Sequence, residues 1–477
     1  MKELFSVKCN SRIYFKRGFS LVLILALTFS LLTGCSESNT SYGLNPNKPI
    51  TIYLWHAFGE KRTAALDTMI EKFNQTEGAD RGIIVEAKHF EDDADMYGHY
   101  SDDSEVDMAG LSAASDMLYD KKIEFADINE LIAPNAKAGI FEEYITAGSI
   151  GKDKKWILFP IVKDTWVLAV NSRDFSAFAK ETSHSESEML YWESIPNVGR
   201  DYYTYSNGKS LMGVEDVADY MQMGSLQMGQ PIISVEAGEP VIRTDGDTIR
   251  KLWDNYYDPY VSGYYRSAKS TRIVDIQNEK IISATIRSSD TEKLGDRVAT
   301  STNAMMDKSY EILPYPQFKG YDGICPVDNT GVAIVAKKEV RRFASIVFLE
   351  WLTSVDQNLE FACLAGGIPV HKDLANNMNY NIFHEDNKSL MTDMEDETMR
   401  VSLQMVEDYK ITVSPICSKY KSSMDYMGEK LQGESETTRK AVAELMQIDQ
   451  KRRKLLDKYI TDEHFETWFS EFRDGLK

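Results

Sequence analysis

The apolar positions along this chain change period several times, and each change marks an element. The first run, Phe19–Leu32, is continuous, with Lys8, Arg12, Lys16 and Arg17 ahead of it and small residues and Cys35 behind. It is shorter than the ~20 residues a membrane-crossing helix needs, so residues 1–34 read as a secretory signal. From Pro49 to His56 the period is two. Ile50, Ile52 and Leu54 take one side and Thr51, Tyr53 and Trp55 the other, which predicts a strand. Leu66, Met69, Ile70 and Phe73 then recur at helical spacing within Arg62–Asn74. Gly82 restarts the chain into a second strand, Ile83–Ala87. The order β, α, β predicts a parallel sheet with helical crossovers, hence an α/β fold.

The alternation continues downstream. A polar acidic loop is expected over Glu91–Asp107, a short strand at Val106–Leu111 and a helix over Ser112–Lys122. The apolar runs Trp156–Val162 and Trp166–Val170 flank Lys163-Asp164-Thr165. Helices are expected near 215–229 and 247–257, and strands at Ile281–Ile286 and Gly331–Ala336. Val340, Phe343, Ala344, Val347 and Trp351 mark a further amphipathic helix. The two prolines of Leu313-Pro314-Tyr315-Pro316 forbid both a helix and a central strand. From residue 389 onward the pattern is charged and helical, with a long run at 437–458.

Composition sharpens this picture. The 477 residues make roughly two to three domains' worth of chain and carry a net charge of −20. Losing residues 1–34 removes more base than acid, so the mature body is more acidic still. Such a body does not hold a nucleic-acid backbone, and it repels anionic headgroups. Residues 36–48 are polar and punctuated by Gly and Pro, a flexible tether with a reach on the order of 20 Å. Leu32-Thr33-Gly34-Cys35 looks like a bacterial lipobox, which implies that Cys35 becomes the lipidated first residue. The expectation is an exported protein held by lipid at the outer face of the bacterial cell membrane.

Cys325, Cys363 and Cys417 are widely spaced and odd in number, so no disulfide is expected. Motifs of catalysis and metal binding fail on inspection. Gly208-Lys209-Ser210 lacks the first glycine of a phosphate loop, where Tyr203 stands. Asp93, Asp95 and Gly98 begin like a calcium loop, but its twelfth position is Ser104. No cofactor, metal or catalytic site is expected.

Taken in order, several blocks resemble the family 1 extracellular solute-binding proteins of ABC importers, the maltose- and glycerol-phosphate-binding group. They are ITIYLWHAFGEKRTAALDTMIEKF at Ile50–Phe73, Ile157–Asn171 with its Phe-Pro, Trp192–Ile195, LPYPQFKG at Leu313–Gly320, and Thr330–Thr353 followed by GGIPVHKDL at Gly366–Leu374. Each block alone is weak; their order and spacing are fairly specific. The sequence departs from the family at Arg287, which intrudes on a cluster of small residues, at Val106-Asp107, and in added acidic material around 385–400.

The resemblance implies a two-lobe periplasmic-binding-protein-like fold with a ligand cleft between lobes joined by hinge crossovers. Lobe 1 would comprise 48–163 and 317–353, and lobe 2 would comprise 164–316 and 354–477. Lys163–Trp166, Leu313–Gln317 and Thr353–Asp356 would be the crossovers. It also implies a small-molecule solute, of carbohydrate type, and the permease subunits of an ABC transporter as partners of a monomeric receptor. Competing readings are an exported carbohydrate-active enzyme, which needs two converging carboxylates, and an adhesin or assembly lipoprotein that kept the fold.

Candidate ligand-binding residues follow from both sources. Trp55 and His56 end a strand where open α/β sheets place ligands, and they offer a ring face and an imidazole. Arg287, Ser288 and Ser289 fall where the resemblance puts a cleft segment, and offer a donor fork and hydroxyls. Trp253 belongs to an aromatic cluster on a helix, whose spacing also suits core packing. Gly366 and Gly367 match a family turn where backbone approaches ligand. Asp107, Asp164 and Asn329 are candidate hydroxyl acceptors.

Overall fold

A computed structural model describes residues 43–476 apart from 267–271, 296, 300–304, 308, 376, 387–389 and 447–451. The signal, Cys35 and most of the tether therefore lie outside the described residues. In chain order the strands of the two main sheets begin with β1 (Ile50–His56), β2 (Ile83–His89) and β3 (Met108–Ser112). β4 (Trp166–Asn171), β5 (Met212–Gly213), β6 (Ser283–Arg287) and β7 (Tyr310–Pro314) follow, and β8 (Thr330–Ile334) is last.

The first sheet has the order β8-β3-β1-β2 and the second β7-β4-β6-β5. β1 runs parallel to both neighbours, with Ile52 opposite Val85 and Leu54 opposite Met108, as the β-α-β pattern requires. β8 is antiparallel to β3 because it re-enters from the other lobe rather than through a helical crossover. β4 is buried at every position, since it lies between two antiparallel neighbours and packs against helices of lobe 2. β7, ending at Pro314, is an edge strand, the one place in a sheet that tolerates proline.

The helices cover these sheets by their apolar faces. α1 (Glu60–Gln75) buries Leu66, Met69, Ile70 and Phe73 against the first sheet, the face the sequence predicts. Beside the second sheet stand α2 (Val217–Gln227) and α3 (Gly246–Val261). α4 (Val355–Ala365) buries Leu359, Phe361, Ala362 and Cys363 and packs along α1, with Lys72 paired to Glu360. α5 (Asp393–Asp408) returns to lobe 2, where Glu397 accepts the Ile312 amide at 3.0 Å and Thr398 bonds Thr291 at 3.0 Å. α6 (Tyr420–Met446) packs on α2 and α3, and α7 (Asp462–Leu476) on α3.

Two lobe boundaries therefore differ from those expected. Residues 354–370 belong with lobe 1, because the apolar face of α4 is buried against α1. Residues 317–323 stay with lobe 2, where Gln317 bonds Leu190 and Phe318 packs 6.3 Å from Trp192. The crossovers are then the segment around Lys163–Thr165, the segment around Val327–Thr330, and the passage from His371 to α5. The first two are bonded to each other, the Asp328 amide donating to the Asp164 carbonyl at 2.9 Å.

Local structure also differs in two places. Ser112–Lys122 forms the end of β3 and a short 3-10 turn, not an α-helix. The Tyr119 hydroxyl donates to the Ala113 carbonyl and Asp120 accepts the Lys122 amide, side-chain bonds that compete with helical ones. The expected acidic loop contains a helix, Asp93–His99, capped by Asp92 on the Asp95 amide at 2.7 Å. Cys325, Cys363 and Cys417 are buried free thiols. No helix among the described residues is long and apolar enough to cross a membrane.

Candidate functional site

The C-terminal end of β1, the turn after β6 and the two bonded crossovers converge on one cavity of about 640 Å³. Lobe 1 contributes Gly59, Glu60, Lys61, Arg62 and Ala64 from the start of α1, and Ala365 from the end of α4. Lobe 2 contributes Arg287, Ser289, Asp290, Glu292 and Lys293. Asp164, Asp328 and Thr330 of the crossovers form its floor. Ligand sites of open α/β sheets lie at such strand ends, where helix starts and loops supply polar groups.

Asp164 organises the floor. Its carboxylate accepts the Ser288 and Ser289 hydroxyls, both at 2.5 Å, and the Ser289 amide at 3.1 Å. Its own amide donates to Asp328 Oδ1 at 2.6 Å. Through its side chain and its backbone together, this one residue ties the β6 turn of lobe 2 to both crossovers. Arg287 stands over it with its guanidinium 4.5 Å from the Trp166 ring centroid and 3.6 Å from Asp219. Burial opposes its charge, but Asp164, Asp219, Asp328 and Asp216 outweigh it and hold the guanidinium above its usual pKa.

Asp219 itself is buried, and burial beside Asp216 pushes it up to about 7 against the pull of Arg287. Across the cavity, Lys61 reaches from α1 to Glu292 at 3.3 Å and to Glu395 of α5. Burial lowers its pKa and Glu292 counteracts that shift. Lys163 is almost fully buried behind the floor, where its ammonium donates to the Thr330 carbonyl at 2.7 Å. Burial brings it down to about 8, opposed by Asp328.

Of the residues singled out from sequence, Asp164, Arg287 and Ser289 line this cavity and Ser288 braces it. The others have different places. Trp55 is 8% exposed and packs against Phe90, with Lys88 over its ring at 4.9 Å. His56 is fully buried, stacked on Phe58, and burial with neighbouring His89 lowers it to about 4. The turn after them, rather than these two rings, meets the cavity. Asp107 is consumed by Arg341 and the Tyr53 amide behind β1. Trp253 is a core residue, stacked 3.8 Å from Tyr257 and 4.4 Å from Trp468.

Asn329 donates to the carbonyls of Ala147 and Ser414, both at 2.8 Å, on the side away from the cavity. Its neighbours Asp328 and Thr330 face the cavity, because side chains alternate along extended backbone. Gly366 caps α4 at φ +69°, and a Cβ on Gly367 would lie 2.6 Å from the Lys163 carbonyl. These glycines let the α4 end touch the crossover, where the expectation was contact with ligand. Lys61, Arg62, Asp219, Asp328 and Thr330 were not singled out. The polar turn after β1 was a usable signal for the first two; nothing local announces the others.

A second cavity, about 890 Å³, also spans the lobes and is bordered by Ala147, Met228, Ile233 and Val413. It shares no lining residue with the first and lies on the Asn329 side of the crossover. Its walls mix aliphatic side chains with charged ones, Glu142, Glu143, Lys152, Lys154, Asp322 and Lys410, and with the hydroxyls of Thr146, Ser149, Ser234 and Thr412; the first differs in lying at the carboxyl end of β1. Among the described residues no cluster of His, Cys, Asp and Glu is arranged to hold a metal ion.

Solved structures share this architecture. A cyclic alpha-maltosyl-1,6-maltose binding protein from Arthrobacter globiformis aligns with TM-score 0.65 and 14% identity, covering 86% of this chain and 100% of that one. UgpB from Mycobacterium tuberculosis, in complex with glycerophosphocholine, aligns with TM-score 0.61 and 14% identity, covering 87% and 99%. An ABC substrate-binding protein from Listeria monocytogenes, in complex with cycloalternan, gives 0.59 and 14%, covering 90% and 99%. No curated protein matches the chain. Residues 68–388 match the family described as bacterial extracellular solute-binding protein, across well over half the sequence. With two lobes, paired crossovers and a polar cavity between them, the chain belongs to the bacterial extracellular solute-binding proteins.

Proposed function

We propose that this protein is the lipid-anchored receptor of an ABC importer, capturing a sugar or oligosaccharide between its lobes and presenting it to the permease. The observation that carries this reading is the cavity in which both lobes place side chains around one bonded crossover. Lys61 and Arg62 supply donors from lobe 1, Arg287 and Ser289 from lobe 2, and Asp328 an acceptor from the floor. Convergent donors and acceptors of this kind suit hydroxyl-rich solutes. The proteins of similar fold named above are named for a saccharide or solved in complex with glycerophosphocholine or a saccharide, which supports the same class.

Solute would bridge the two sets of groups and favour lobe closure by hinge bending, since only the closed form satisfies both. Cys35 would hold the receptor at the membrane, where tethering raises its effective concentration beside the permease. The working unit is a monomer, because one chain supplies both walls of the cavity. Calorimetric titration with a panel of mono- and oligosaccharides and glycerol phosphate tests the reading. Saturable binding that Arg287→Ala weakens by ~1–3 kcal/mol supports it. Silence across the whole panel rejects the carbohydrate assignment.

A further inference from the structure

We propose that Trp166 is a positioning residue of the interlobe site, its indole holding the Arg287 guanidinium as a flat donor fork for solute oxygens. This deepens the reading of the cavity as the solute site and rests on it. Trp166 opens β4 and Arg287 closes β6, and the two are directly opposed in the antiparallel register. Their side chains therefore leave one face of the sheet side by side. The backbone beneath them is fixed. The Ser288 amide donates to the Thr165 carbonyl at 2.8 Å, and the Thr165 hydroxyl donates to the Pro326 carbonyl at 2.5 Å. The guanidinium lies 4.5 Å from the indole centroid, within the range of a cation–π contact.

Nothing else fixes the plane of this guanidinium. Among the described residues it donates no hydrogen bond. Its ion-pair partner, Asp219, is 3.6 Å away, beyond hydrogen-bonding distance. Attraction between charges draws a delocalised cation without setting its plane, whereas a ring face sets it. The Arg287 side chain is 39% exposed and lines the cavity, a setting in which an arginine ordinarily samples many rotamers. Trp166 lies behind that lining, 4% exposed, and its Nε1 donates to no described acceptor. A buried indole usually finds a partner for that group, so what this ring offers is its face.

A guanidinium held by its face keeps its edge, and with it the N–H donors, for oxygens in its own plane. Two adjacent N–H groups match two neighbouring acceptors, such as the vicinal hydroxyls of a pyranose. The other arginine of the cavity has a similar backing. Arg62, from lobe 1, stands 5.7 Å from the Phe58 centroid, and among the described residues its guanidinium also donates no hydrogen bond. Each lobe thus brings one ring-backed arginine to the cavity. Trp166 provides the closer ring, on strand backbone that is bonded into the crossover.

Calorimetry on the mature chain with the panel of mono- and oligosaccharides and glycerol phosphate, then a double-mutant cycle on its tightest binder, tests this. Trp166→Leu should weaken binding at least about tenfold, and Trp166→Phe should recover most of that loss by restoring a ring face. In an Arg287→Ala background Trp166→Leu should change affinity by less than about twofold, because the indole acts through the guanidinium. Arg287→Lys should bind as weakly as Arg287→Ala, since an ammonium has no plane to hold. In the solute-free protein the indole ring current should shift the Arg287 side-chain protons upfield. Arg287→Lys and these wild-type signals stand whether or not Trp166→Leu folds. Undiminished binding by Trp166→Leu, equal losses in both backgrounds, wild-type affinity in Arg287→Lys, or unshifted Arg287 signals would overturn the inference and leave solute capture intact. Silence across the whole panel would overturn the cavity assignment and this inference together.

Discussion

Lys61 of lobe 1 and Glu292 of lobe 2 meet across the mouth of the cleft at 3.3 Å, and Glu395 completes the contact from α5. A second pair, Lys421 and Asp116 at 3.4 Å, also spans the lobes. Closure is thus held in part by side chains that lose each other when the hinge opens. Lys61 is 20% and Glu395 10% exposed, so the first contact is shielded from salt better than a surface pair. Lys61→Met should widen the unliganded protein, seen as a larger radius of gyration by small-angle scattering. An unchanged scattering curve at low and high salt would mean that the contact does not set the lobe angle. Solute affinity should fall several-fold with the closed fraction, by about 1 kcal/mol.

Asp164 joins three segments, and its removal should be felt by both stability and binding. Asp164→Ala leaves two serine hydroxyls without their acceptor and is expected to cost ~1–3 kcal/mol in chemical denaturation. Any measured solute affinity should weaken in parallel. Loss of stability with unchanged affinity would make Asp164 a brace only.

Lys163 gives a pH signature. Its folded pKa of about 8 lies below the ordinary 10.5 because burial disfavours the ammonium. Between these values the unfolded chain binds a proton that the folded chain does not, so this residue makes stability rise with pH across that window. Relative to Lys163→Met, the wild type should gain up to about 3 kcal/mol from pH 8 to pH 10.5. Parallel stability profiles of the two proteins would refute the buried, depressed lysine.

Trp253 is predicted to matter for folding and not for solute. It stacks on Tyr257 and lies against Trp468 of α7, so Trp253→Ala should cost ~3–5 kcal/mol and loosen the C-terminal helix. Protease sensitivity near residues 452–476 would report it. A folded variant with weakened solute binding and undiminished stability would return Trp253 to the site.

For the proposed anchor, Cys35→Ala should release the protein from the membrane fraction while solute affinity of the purified body stays unchanged. Retention of the variant by membranes would remove the lipid from the proposal.

Much of the architecture was legible in local pattern. The two-residue period of Ile50, Ile52 and Leu54 became β1, and Leu66, Met69, Ile70 and Phe73 became the buried face of α1. These readings succeed because a period determines which side of an element is apolar, whatever covers it. The blocks resembling a known family supplied the two-lobe arrangement and pointed to the Arg287 segment, while Asp164 was a candidate for its acceptor chemistry.

What covers each face was not legible. The apolar face of α4 fitted either lobe, and only its contact with α1 assigned it to the first. Asn329 and Asp328 offer similar chemistry one residue apart; the direction of an extended crossover turned one away from the cavity and the other into it. Trp55, Asp107 and Trp253 all carried groups suited to a ligand, but Phe90, Arg341 and Trp468 reached them through the fold. The sequence by itself determined most of the elements, their apolar faces and the family resemblance, though not the local structure at Asp93–His99 and Ser112–Lys122. The tertiary structure alone decided which polar groups are spent on one another and which, like Arg287, are left facing the cleft. That follows because hydrogen-bond and charge satisfaction depends on long-range pairing, which no local period encodes.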